Sequence, residues 1–94
     1  MSETRAAKAL HTRIARGRER LGELDAELIH LIRTRARAAH ELEELCRKAG
    51  GPRTDLTGEN VMLRGYHGAL GRRGTSIALL LLGLGRSEGA AGGG

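Results

Sequence analysis

A chain of 94 residues makes at most one domain, and with Tyr66 as its only aromatic residue the core falls to Leu, Ile, Val and Ala. Sixteen Lys+Arg against eleven Asp+Glu leave a net charge of +5, and nearly all of these cations are Arg, which favours small anions or nucleic acid as partners. The single Cys46 excludes an internal disulfide and a cysteine-based zinc framework.

The N-terminus MSETRAAKAL lacks the apolar core of a signal peptide. The one apolar run, Ile77 to Leu82, is too short to span a bilayer. The chain therefore reads as cytoplasmic, with no membrane partner. A chain this small buries a modest core, and oligomerisation is the usual remedy.

From about Glu3 to Lys48 there is no Pro and there are only two Gly. Steps of four and three from Leu10 give Leu10, Ile14, Gly17, Leu21, Leu24, Leu28, Leu31, Arg35, Ala38, Leu42 and Leu45. Nine of these eleven are apolar, a sustained seam that predicts a long helix seeking a partner helix. A helix of some 40 residues is about 60 Å long, more than one small domain covers. A plain coiled coil has the same seam.

Ala49-Gly50-Gly51-Pro52 ends this helix, and residues 50–56 form a loop. Asp55 or Thr57 can cap a second helix, which carries Val61, Met62, Tyr66 and Ala69 inward and ends near Leu70-Gly71. Arg72-Arg73-Gly74 reads as a turn. A third helix, Ser76 to Leu84, is apolar on nearly all sides and is expected to be buried. The tail from Ser87 to Gly94 is Gly/Ala-rich and expected to be disordered. The plan is all-α: one long, one medium and one short helix in a domain of residues 1–86.

Arg35 interrupts the apolar seam. A guanidinium at a buried position is costly unless an anion meets it. It either snorkels to solvent or fixes the helix register, or else it marks an anion pocket, and spacing alone leaves these open. Ala39, Leu42 and Cys46 share its face at 100° per residue. Arg18 lies seventeen residues back, about 25 Å along the axis and roughly 100° round, so it cannot reach the same ligand within one helix. An antiparallel partner crossing near Asp25–Glu27 places Arg18 of one chain beside Arg35 of the other, giving two pockets in a two-fold dimer.

The stretch GRERLGELDAELIHLIRTRARAAHELEEL, the Gly-Gly loop, an acid-bearing helix start and then GY and ALLLLGLGR resemble the chorismate mutase family, in its all-α AroQ class and short actinobacterial type. The resemblance covers roughly Ile14 to Arg86 and is most specific over Leu21 to Arg35. It implies an intertwined antiparallel homodimer that turns chorismate into prephenate, a pericyclic step of phenylalanine and tyrosine biosynthesis, with no cofactor and no covalent intermediate. By position, Arg18 of the partner subunit and Arg35 look like the two carboxylate-binding arginines of a site for a small dianionic substrate. Asp55 and Glu59 look like the acids near the substrate hydroxyl, and Asp25 like a structural motif residue.

Two positions depart from the family pattern. Cys46 stands where a Lys or Arg contacts the ether oxygen, and Gly58 stands where an Arg precedes the glutamate. Arg47, Lys48 and Arg53 are the cations that could replace the lost charge. The resemblance to mycobacterial members also leaves open an activating pathway enzyme acting on the residues after Leu84-Gly85-Arg86.

Other readings keep the fold: a mutase for 4-amino-4-deoxychorismate, a lyase for isochorismate, or a non-catalytic dimeric relative. A basic coiled coil binding nucleic acid is disfavoured, because the Arg residues surround the helix and no aromatic beyond Tyr66 could stack on a base. His11, His30, His40 and His67 have no ligand spacing and read as solvated, so no metal is expected. Arg33, Arg37, Glu41 and Glu44 read as a solvated charged face.

Overall fold

The computed structural model describes residues 2–51 and 55–86. Three helices run in chain order: α1 (Ser2–Lys48), α2 (Leu56–Leu70) and α3 (Arg72–Gly85), with no strand among the described residues. Their contacts fall into two units, Met1–Leu31 and Ile32–Gly94. The tail expected to be disordered, 87–94, lies outside the described residues.

The described residues of the first unit are all helix. The absence of Pro and the many Ala, Leu, Arg and Glu residues favour it. From residue 4 to residue 31, only Leu24 is shielded even in part. Leu10, Ile14, Leu21 and Leu28 stand exposed, Leu21 at 62%. An exposed Arg20–Glu23 ion pair at 3.4 Å adds a few tenths of a kcal/mol at most. The apolar seam is therefore unpaired along this unit.

The second unit holds residues 32–48 of α1 together with α2 and α3. The end of α1 is closed by the backbone. Gly50 takes φ +80, its N–H donates to Arg47 O (3.0 Å), and Gly51 N–H donates to Cys46 O (2.9 Å). This pair of bonds satisfies two of the carbonyls that a helix end leaves without partners. Of the two expected caps, Asp55 rather than Thr57 closes the start of α2, its Oδ1 accepting the Gly58 N–H at 3.0 Å.

The expected turn at Arg72-Arg73-Gly74 is helix instead. Gly71 alone reverses the chain, at φ +77, and it ends α2 as well as opening α3. Gly74 serves packing. A Cβ there would meet the Tyr66 carbonyl oxygen and would lie 2.6 Å from Leu70 Cβ, so its bare backbone is what lets α3 approach α2. His67 Nδ1 and Thr75 Oγ1, 3.2 Å apart, join the two helices beside this contact.

The expected burial of α3 on nearly all sides is also corrected. Only Gly74, Ala78, Leu81 and Gly85 are buried, one face at i, i+4, i+7 and i+11, while Leu80 is 72% exposed. On α2, Met62, Leu63 and Tyr66 are half-buried, but Val61 and Ala69, expected inward, are exposed. The cause is common to both helices. Each has one neighbour-facing side within this chain, and no described element covers the other. No described helix is long and apolar enough to cross a membrane.

Candidate functional site

The second half of α1 presents Ile32, Arg35, Ala36, Ala39, His40, Glu43 and Cys46 as its shielded face. This face overlaps the seam only at Arg35; Ala38, Leu42 and Leu45 remain exposed. Below it the ends of α2 and α3 converge. Gly85 is buried against α1, and a Cβ on it would sit 2.8 Å from Ala39 Cβ. The absent side chain allows the close approach and brings Arg86 to the same place.

The result is a cleft of about 950 Å³, near the upper end of the size of small-molecule sites. Arg35, Ala39, Leu42, Glu43 and Cys46 line it from α1. Asp55, Leu56, Thr57, Gly58, Glu59 and Met62 line it from the start of α2, and Leu82, Gly85 and Arg86 from the end of α3. Four of the residues singled out from the sequence, Arg35, Cys46, Asp55 and Glu59, thus share one cavity. Arg18 belongs to the Met1–Leu31 unit, where it is exposed, and does not line this cavity.

The half-buried Arg35 donates from Nη2 to Met62 Sδ at 3.0 Å. A thioether is a weak acceptor. No ion pair among the described residues includes Arg35, so its charge faces the cavity without a carboxylate bound to it. Glu59 is better shielded, its side chain 23% exposed, and its carboxylate lies 3.7 Å from Arg86 Nη2. Asp55 commits Oδ1 to the helix cap.

The position where an arginine was expected has a local explanation. A Cβ on Gly58 would strike Asp55 Oδ2 and lie 3.0 Å from Asp55 Cγ. As the Asp55 carboxylate is turned here it overlaps that space, so a side chain at residue 58 would require the carboxylate to turn. Arg47 does not replace the missing cation. Its guanidinium bonds Glu44 at 2.8–3.1 Å and points its charge there. These hydrogen bonds, and then the carboxylate's charge, raise the Arg47 pKa above its ordinary value. Lys48 does not line the cavity, and Arg53 lies outside the described residues.

No family model, curated protein or solved structure matches this chain. The family resemblance rests on the sequence pattern alone.

Sequence reasoning missed Glu43, Met62 and Arg86. Glu43 stands eight residues after Arg35 and about 80° round, outside the narrow face that marked Ala39, Leu42 and Cys46; only the i+4 step from Ala39 points to it. Arg86 gave no such signal, because its place depends on the Gly85–Ala39 contact. His40 departs from the solvated reading. Its Nε2 is enclosed and has no hydrogen-bond partner. Among the described residues, no three His, Cys, Asp or Glu side chains are grouped to hold a metal ion.

Proposed function

We propose that this chain is a chorismate mutase-type isomerase that works as an antiparallel homodimer in the cytoplasm, converting chorismate to prephenate for aromatic amino-acid synthesis. The observation that carries the reading is Arg35. It is a half-buried guanidinium on a cavity wall with a thioether for its partner, as a group awaiting an anionic ligand would be. Arg35 clamps one substrate carboxylate and Arg18 of the partner subunit the other. The clamp holds the folded conformer in which the bond-forming carbons are close, which converts binding into rate. Asp55 and Glu59 lie near the substrate hydroxyl. Cys46 faces the breaking ether oxygen and, as a neutral thiol, supports developing charge only weakly.

A second reading is favoured by Glu43, which joins Asp55 and Glu59 on the cavity wall. Three carboxylates suit an ammonium better than a hydroxyl, so 4-amino-4-deoxychorismate is the alternative substrate.

The test is to incubate purified protein separately with chorismate, 4-amino-4-deoxychorismate and isochorismate and identify products by mass. Prephenate from chorismate is the expected result. Arg35→Ala is expected to lower turnover about 100- to 1000-fold, the scale of losing one preorganised charged donor. Turnover of the amino compound alone favours the second reading. Turnover of isochorismate alone replaces both with a lyase, and no turnover of any leaves a non-catalytic binding protein.

A further inference from the structure

The cavity contains a second cation to which the reading above gives no task. Arg86 follows the last residue of α3, and its side chain is half-exposed at the cavity wall. Its position is built. Gly85 is buried against Ala39, with no room for a methyl group between them. Ala39 stands one helical turn from Arg35 on the same face of α1. The contact therefore brings the two guanidiniums to one cavity within a single chain. The partner of Arg86 is Glu59 at 3.7 Å, a long and partly solvated ion pair of the kind that holds weakly. A ligand carboxylate offering two oxygens to the planar guanidinium competes well against it.

The geometry points to Arg86 as a second anion-binding residue of this site, held by Glu59 when the cavity is empty and transferred to a ligand carboxylate when it is filled. The proposal rests on the reading that the cavity takes a carboxylate, not on which reaction follows. It gives Glu59 two states, paired with Arg86 before binding and released toward the ligand afterwards. It also gives Gly85 a positioning role, because a side chain there would move Arg86 away.

The full-length protein, labelled with 15N, is titrated with chorismate and separately with L-malate, a dicarboxylate that cannot rearrange. The Nε–Hε signals of Arg35 and Arg86 are followed by NMR. Both are expected to move with either ligand. Arg86→Gln is expected to weaken binding about tenfold or more, the scale of one charged hydrogen-bonded contact, and Arg86→Lys by less. Gly85→Ala is expected to weaken binding while Arg86 is still present. Glu59→Gln is expected to tighten malate binding, because it removes the competing carboxylate, whereas a merely structural pair would lose affinity from either side. Unchanged affinity in Arg86→Gln, or equal weakening in Glu59→Gln, overturns the proposal, as does an Arg86 signal that neither ligand moves. Malate binding at Arg86 without turnover of chorismate supports the proposal and removes the mutase reading alone.

Discussion

At position 58 a methyl group and the Asp55 carboxylate compete for one space. Gly→Ala within a helix ordinarily stabilises by up to about 1 kcal/mol. Here the added Cβ makes the Asp55 carboxylate turn, which strains a cap whose full loss would cost about 0.5–2 kcal/mol. Gly58→Ala is therefore expected to be neutral or destabilising in the native background. It is expected to be stabilising once Asp55→Ala has already removed the cap. Thermal denaturation of the two single variants and the double variant measures this coupling, and simple additivity would show that the cap does not exclude a side chain. Asp55 was legible from the sequence as a cap because short acidic residues accept helix N–H groups wherever they precede one. The role of Gly58 was not legible, because it depends on which way the capping carboxylate turns.

The three helices were legible because Gly-Gly-Pro and Leu-Gly are local signals, and Gly50 and Gly71 end their helices through positive φ angles that need no tertiary context. The start of α3 was not. Arg72 and Arg73 place positive charge in a first helical turn, where the dipole disfavours it. The contact of Gly74 with Tyr66 and Leu70 overrides that preference. Gly74→Ala is expected to lower the unfolding midpoint through overpacking that costs about 1–3 kcal/mol. Gly83, on the same helix, has no atom within 4 Å of an added Cβ. Gly83→Ala is expected to hold or raise the midpoint. Equal effects of the two substitutions on the denaturation curve would contradict the packing role of Gly74.

At the scale of the whole molecule, the buried hydrophobic residues among those described are Ala78 and Leu81, while the large apolar side chains of the α1 seam, the partly shielded Leu24 apart, are exposed. The seam was readable from its spacing, but spacing does not say which chain covers it. Within the second unit, α2 and α3 cover a neighbouring face and leave Leu42 and Leu45 exposed. The proposed homodimer would use the seam for the partner helix. Its midpoint of unfolding is then expected to rise with protein concentration, about 1.4 kcal/mol of stability for each tenfold increase. Leu28→Asp is expected to abolish that dependence and to give a monomer in sedimentation equilibrium. A native chain that sediments as a monomer at all concentrations would remove the partner's Arg18 from the site.

Gly74 and Gly85 are eleven residues apart on α3, three turns with only about 20° left over. One touches α2, the other α1, and both contacts depend on missing side chains. The stretch between them is a spacer of fixed phase. An in-frame gain or loss of one codon inside it would swing the second glycine, and Arg86 with it, about 100° around the helix axis. The exposed Leu79 and Leu80 within the same stretch can change identity with neither contact disturbed. Over these residues a change of length would move both contacts at once, whereas a change of identity would be felt at the buried Ala78 and Leu81.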